Sequence, residues 1–228
     1  MRTLPVIVFV PYLMVYLVAA YLNASPQVIA PWFQGLHVFF FGFALYWAVR
    51  NRHKLFSWEG AWWLGVFLVF VIPGAYLEYP SDPLEHFRRI LSWTSTSSIR
   101  ENESYLKFTY FWGWTIIGWI PIPYRRLALD LYGAGFQWLL TYQFFRFTEA
   151  LGIRGHWRFL HAAAFVVLFG TNLFSFRYYA LSSTPLAYAA YLGFATLLLE
   201  SRTLTVTTLL NSGLLLCLAA FNHLQTLA

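Results

Sequence analysis

Residues Trp32 to Val49 read WFQGLHVFFFGFALYWAV, a stretch that contains no Asp, Glu, Lys or Arg. Apolar stretches of about 18 or more residues are typical of helices that cross a bilayer. Aromatic rings lie near both ends of the stretch, where a ring can contact lipid and head group together. Three basic residues follow at once, namely Arg50, Arg52 and Lys54. The stretch therefore predicts a transmembrane helix that leads into a basic loop.

Seven further apolar blocks are spread along the chain. They are Leu4–Leu22, Ala61–Leu77, Phe108–Ile120, Leu127–Phe145, Phe159–Phe176, Tyr178–Leu199 and Leu204–Phe221. We therefore predict an all-α fold, a polytopic transmembrane helical bundle of about eight spans, in one integral membrane domain over residues 1–228. The first block exceeds the roughly 7–15 apolar residues of a signal peptide, which favours a retained span. Phe108–Ile120 is short and ends in two prolines, so seven spans plus one re-entrant segment there is the alternative.

Composition supports the same class of protein. Hydrophobic residues make up 59% of the chain and charged residues 11%, against roughly 25% charged residues in a soluble domain. The net charge of +6 is scattered in short clusters, so there is no dense basic face for nucleic acid. The single cysteine, Cys217, excludes an internal disulfide. We expect an integral protein of the cell (inner) membrane, with the lipid bilayer as its partner and, from its basic loops, a cytoplasmic N-terminus.

The longest polar stretch, residues 78–107, is predicted to be an external loop, and it carries the candidate chemistry. Asp82 and Glu85 are candidates for a catalytic general base, or for carboxylates that hold a divalent cation. Arg88 and Arg89 would bind a phosphate or carboxylate of the substrate.

A structural interpretation of the same residues stays open beside that one. Asp82 as N-cap, Pro83 at the first helical position and Glu85 at the third form a good helix start. Leu84, Phe87 and Leu91 would then share one face. This pattern predicts a short interfacial helix near residues 83–93.

Three other polar positions are candidates for function. Asp130 lies in an apolar block, where an ionisable group is a functional hypothesis, but Arg126 is four residues earlier and predicts a stabilising pair. His37 has no partner at metal-ligand spacing, which favours a hydrogen-bonded histidine. Asn102-Glu-Ser104 fits a glycosylation sequon. No HExxH, GxSxG or P-loop pattern occurs, which excludes the enzymes that those motifs mark.

The stretch 172–223 contains Phe176-Arg177-Tyr-Tyr-Ala-Leu-Ser-Ser-Thr-Pro185 and, one helical hairpin later, Phe221-Asn-His223. Together with the Asp82 loop it resembles the polytopic polysaccharide polymerases and other glycosyltransferases of the GT-C type, which use lipid-linked sugars. Those proteins are usually longer, and a single Asp82 after Ser81 stands where a paired DxD would be.

The resemblance implies a membrane glycosyltransferase or polysaccharide polymerase-like protein that acts on a polyprenyl-linked sugar donor. Asp82 would be the catalytic or metal-binding carboxylate. Arg177 would hold the diphosphate of the donor, and His223 would line the site.

Two other classes of function remain open from the sequence. A transporter or flippase-like bundle would line a path near the middle of the bilayer with the side chains of Asp130, Gln137, Gln143 and Asn172. A membrane scaffold would use its loops only to bind a partner.

Overall fold

The computed structural model describes residues 8–76, 81–170, 184–201, 203 and 205–222, without the side chains of 73–76, 81–84, 169 and 170. All regular structure in these ranges is helical, as predicted. The α-helices are α1 Phe9–Tyr21, α2 Pro26–Arg50, α3 Arg52–Leu55, α4 Trp58–Tyr76, α5 Ser81–Leu91, α6 Phe108–Ile117, α7 Arg125–Ala150, α8 His156–Gly170, α9 Thr184–Glu200 and α10 Val206–Ala220. Short 3₁₀ turns occur at Ser92–Ser95, Ile99–Glu101 and Ile122–Tyr124. Each of the eight apolar blocks contains a helix.

Helix α2 is the one helix in the described ranges that is long and apolar enough to cross a membrane. Shorter apolar helices are Phe9–Tyr21, Trp58–Ile72 and Val206–Ala220. Helix lengths therefore leave the count of eight spans unconfirmed. Helix α2 is not buried in the protein core. Large apolar side chains along it are exposed, such as Trp32 (68% exposed) and Phe41 (73% exposed).

The longest helix, α7, packs against α4 in the opposite direction. Trp63, near the start of α4, lies beside Phe145, near the end of α7, with ring centroids 5.3 Å apart. Further along α4, Val66 and Phe70 belong to a buried cluster with Ala134, in the first half of α7. Helix α7 therefore begins at the end of the bundle where α4 finishes.

Helices α7, α8 and α9 meet at one end through a cluster of ion pairs. Arg146 of α7 pairs with Glu149 and, at 3.3 Å, with Glu200 at the end of α9. Arg158, near the start of α8, pairs with Glu149 at 3.0 Å. We call this the Arg146 end of the bundle. Helices α7 and α9 finish there and α8 begins there, so α8 and α10 run back towards the opposite end.

At that opposite end, which we call the α5 end, the end of α10 closes the start of α6. The amide of Phe108 donates to the carbonyl of Phe221 at 2.7 Å, and the amide of Thr109 donates to Oδ1 of Asn222 at 3.1 Å. The first amides of a helix have no partner within it, so α10 supplies two of the acceptors that α6 needs. The end of α1 lies here as well, because Arg100 donates to the carbonyls of its last turn.

Helix α6 is too short to traverse the bundle. Its ten residues cover roughly 15 Å, about half of the hydrocarbon core of a bilayer. The prolines Pro121 and Pro123 prevent its continuation. Since α4 finishes and α7 begins at the α5 end, the chain between them also leaves and returns at that end.

A cluster of aromatic rings holds α6 between α1, α2 and α7. Its centre is Trp112, whose ring lies 5.1–5.9 Å from five others, those of Phe9, Tyr12, His37, Tyr132 and Phe136. Ring pairs at this spacing add to the energy of apolar burial. The short helix is therefore fixed by side chains from three longer ones.

His37 adds a directed chain of hydrogen bonds to this cluster. The hydroxyl of Thr115 donates to the carbonyl of Trp112 at 2.7 Å, so its oxygen accepts from Nε2 of His37 at 3.0 Å. Nδ1 of His37 then accepts from the hydroxyl of Tyr12 at 2.9 Å. These bonds assign the proton of a neutral imidazole to Nε2. His37 is a hydrogen-bonded histidine, as predicted.

Candidate functional site at the α5 end

Helix α5 confirms the helix predicted near residues 83–93 and corrects the prediction for Asp82. The helix runs from Ser81 to Leu91, so it begins two residues before Pro83. Asp82 is therefore in the first turn and is not the N-cap. Proline is compatible with this position, because amides of the first turn have no partner inside the helix. A negative charge in the first turn also interacts favourably with the helix dipole.

The apolar face of α5 packs on the protein. Ile90 is fully buried, and Phe87 and Leu91 pack against the same core. Gly113 of α6 permits this approach, since a Cβ there would lie 3.2 Å from Cδ1 of Ile90 and 3.4 Å from the Tyr132 ring. Helix α5 therefore packs over α6 through its apolar face, and its polar face is directed outward.

The polar face of α5 carries a compact ion cluster. Arg88 donates from Nε to Oε2 of Glu85 at 2.8 Å and from Nη2 to Oε1 at 2.9 Å. Arg89 donates from Nε to Oε1 of the same carboxylate at 2.8 Å. Arg88 also reaches Oε1 of Glu103 at 3.1 Å. Three of the predicted site residues, Glu85, Arg88 and Arg89, are thus in direct contact.

This contact sets the ionisation of the cluster. Hydrogen bonds from Arg88, and then from Arg89, lower the pKa of Glu85 to about 2. The hydrogen bond to Glu85 raises the pKa of each arginine. Because the folded pKa of Glu85 is depressed, its contribution to stability is present above about pH 4.5 and is lost as the pH falls through about 2. A carboxylate with this pKa is a weak base at neutral pH.

A second set of contacts joins α5 to the start of α6. The hydroxyl of Tyr110 is hydrogen-bonded to Nδ1 of His86 on α5. The ammonium of Lys107 lies 5.6 Å from the centroid of the Tyr110 ring. Since the neighbouring Thr109 is bonded to Asn222, a continuous path of contacts runs from α5 through the first turn of α6 to the last residues of α10.

Arg177 and His223 lie outside the described residues, and so does the side chain of Asp82. The helix ends that flank them are described. Helix α8 finishes, α9 begins and α10 finishes at the α5 end.

The predicted pair of Asp130 with Arg126 is not formed. Within the described ranges, Asp130 is partly buried and has no hydrogen bond or ion pair. The helix places the two residues one turn apart, but that spacing alone does not bring their charged groups into contact. Asp130 therefore remains a candidate for function at the α5 end of α7.

Sequence reasoning missed three residues that organise this site, namely His86, Tyr110 and Asn222. His86 had a signal, since it stands between Glu85 and the two arginines. Tyr110 and Asn222 had none, because their partners are 24 and 113 residues away. Within the described ranges no three His, Cys, Asp or Glu side chains group as metal ligands.

Comparisons with known proteins add no relative to this description. No protein-family model matches the chain, no curated protein matches it, and no solved structure matches it.

Proposed function

We propose that this chain is an integral membrane protein with seven spans and one re-entrant helix, α6. The spans would be α1, α2, α4, α7, α8, α9 and α10. The support is the opposite direction of α4 and α7, which leaves the segment between them at one end of the bundle. Large apolar side chains exposed along α2 suit contact with lipid, because a monomeric soluble protein rarely exposes such a surface.

The Arg146 end would face the cytoplasm. Basic residues in short loops favour that side. Six described basic residues belong to this end, namely Arg50, Arg52, Lys54, Arg146, Arg154 and Arg158. Outside the segment 81–107, the described part of the α5 end has Arg125 and Arg126. The α5 end would then be external.

Within this topology, we propose that the protein transfers a sugar from a polyprenyl-linked donor at the α5 end. One observation carries the proposal: α5, with its two arginines, lies at the same end as the helix ends that flank Arg177 and His223. A lipid-linked donor needs an apolar surface for its chain and cations at the depth of the head group. The bundle has exposed apolar side chains along α2 and two arginines on α5.

Each site residue would have its own role in the transfer. Arg88 and Arg89 would bind the phosphate of the donor through charge-assisted hydrogen bonds. Asp82 would remove the proton from the acceptor hydroxyl, since the arginines lower the pKa of Glu85 to about 2 and make that carboxylate a weak base. By the resemblance, Arg177 would hold the diphosphate and His223 would line the site.

The test is sugar transfer by the purified protein in lipid nanodiscs, with a polyprenyl diphosphate-linked sugar as donor. Asp82→Asn and Arg177→Ala should each lower the rate at least about 100-fold, the usual scale for a general base or a charge-stabilising group. Arg154→Ala, an arginine at the Arg146 end, is the matched control and should keep its activity. Full activity in either site variant, or no transfer by the wild type, would contradict the proposal.

A transporter is the second candidate, and Gln143 is the observation that favours it. Its side chain is fully buried in α7, and neither amide atom has a hydrogen-bond partner in the described structure. An unsatisfied buried polar group costs about 1–3 kcal/mol, so it is commonly kept for a ligand or water. Flux of a polyprenyl-linked sugar across proteoliposomes that Gln143→Leu abolishes, without any sugar transfer, would favour this function.

A further inference from the structure

The two arginines that would bind phosphate are already occupied by a carboxylate. Glu85 accepts three N–H donors, two from Arg88 and one from Arg89, all within 2.8–2.9 Å. These donors converge on one point at the surface of the α5 end. A phosphate group with three terminal oxygens matches the same set of donors and carries more negative charge than a carboxylate.

Stability alone does not account for this arrangement. The side chain of Arg88 is 63% exposed, and exposed ion pairs contribute little to folding. The helix is already fixed to the bundle by Ile90 and by the bond of His86 to Tyr110. The ion pairs of Glu85 are therefore a small part of what holds α5 in place, and the two arginines can exchange this carboxylate for another anion without release of the helix.

We propose that Glu85 is a built-in competitor that occupies the phosphate site of Arg88 and Arg89 until a phosphate-bearing polyprenyl lipid displaces it. This inference rests on the proposed function and deepens it. In the ion pairs of the described cluster, the two positive charges of Arg88 and Arg89 face the two negative charges of Glu85 and Glu103. Displacement of Glu85 makes all three donors available to the lipid phosphate.

The competition has a defined effect on affinity. The apparent dissociation constant equals the intrinsic one divided by the fraction of molecules whose arginines are open. Glu85→Gln removes the charge of the competitor and keeps its size, so it should raise the affinity for the lipid. Couplings of this kind commonly amount to 5–150-fold, and we expect about tenfold.

The experiment measures binding of a polyprenyl monophosphate to the full-length protein in nanodiscs, by native mass spectrometry. The variants are Glu85→Gln, the double variant Arg88→Gln/Arg89→Gln, and Glu101→Gln as the matched control. Glu101 loses the same charge from the same segment, but it is bonded to Ser97 and not to an arginine. The alcohol form of the lipid tests the need for phosphate, and inorganic diphosphate tests whether the lipid chain is needed.

The expected result is about tenfold tighter binding by Glu85→Gln, unchanged binding by Glu101→Gln and loss of binding by the double arginine variant. Glu103→Gln removes only the bond to Arg88, so it should raise the affinity for the lipid by less. This variant tests the proposal if Glu85→Gln fails to fold. Equal or weaker binding by both glutamate variants, with loss in the arginine variant, would overturn the competitor role and leave the proposed function standing. No binding by the wild type and by Glu85→Gln would overturn both.

Discussion

At the scale of single residues, Asn102 shows how one side chain organises the segment between α5 and α6. It is buried, its Nδ2 donates to Oγ of Ser92 at 3.0 Å and to Oγ1 of Thr96 at 2.8 Å, and its Oδ1 accepts from the amide of Ser104 at 2.8 Å. Both hydroxyls already donate their protons to backbone carbonyls. Their oxygens must therefore accept from Asn102, so that an amide, and not a carboxylate, is required here.

Asn102→Asp should consequently destabilise the protein despite its nearly identical shape. We expect a loss of about 1–3 kcal/mol in the free energy of unfolding, because two hydroxyl oxygens would face a carboxylate. Thermal unfolding in detergent measures the effect. Asn23→Asp is the control, since Asn23 contributes only its Oδ1, to the amide of Arg100. Equal loss in both variants would refute the account.

The burial of the same residue also bears on the sequon. Asn102-Glu-Ser104 has the required sequence, but the asparagine is 4% exposed and uses both ends of its amide inside the fold. An added glycan is not compatible with that burial. The pattern of three residues could not reveal this, because it carries no information on burial.

At the scale of elements, the link between α2 and α6 through His37 and Thr115 is open to measurement. His37→Leu and Thr115→Val each remove one partner and leave the other buried without it. The double variant removes both. We expect a coupling energy of about 0.5–3 kcal/mol between the two sites in a double-mutant cycle of thermal unfolding. Additive effects would mean that the bond does not help to hold α6.

Most elements could be predicted, because apolar block length is a local signal. The long blocks gave helices such as α2 and α7. The start of α5 was misplaced because an N-cap pattern and a first-turn pattern look alike when a proline follows Asp82. The sequence could not decide whether Phe108–Ile120 crosses or re-enters. The start of its helix depends on acceptors at Phe221 and Asn222, more than 100 residues later in the chain.

The contact of Glu85 with Arg88 and Arg89 could be predicted from the sequence, but the chemistry of that contact could not. The sequence brought Glu85, Arg88 and Arg89 together, because helical spacing places them on adjacent turns. The sequence alone does not show that both arginines donate hydrogen bonds to the carboxylate of Glu85. That depends on the rotamers that α5 adopts over α6.

At the scale of the whole molecule, the seven-span topology predicts a pattern of accessibility. In a Cys217→Ser background, single cysteines are placed at Ser97, Tyr124, Asn51 and Arg154. Ser97 and Tyr124 should both react with an impermeant thiol reagent in intact cells, because α6 returns to the side where it began. Asn51 and Arg154 should react only after the membrane is opened.

Tyr124 is the position that separates the two topologies. Eight spans would place it on the side of Asn51, so a protected Tyr124 with a reactive Ser97 would refute re-entry. The background is suitable, because Cys217 is the only cysteine in the chain and lies within α10.

The closure of α6 by α10 has a consequence for biosynthesis. Asn222 follows Thr109 by 113 residues, which a ribosome adds in roughly 6–20 s at about 5–20 residues per second. During that interval the first turn of α6 has neither of its acceptors from α10. Helix α6 therefore gains these two acceptors only when the last helix of the chain has been made, so that closure of the α5 end by α10 is a late step of synthesis.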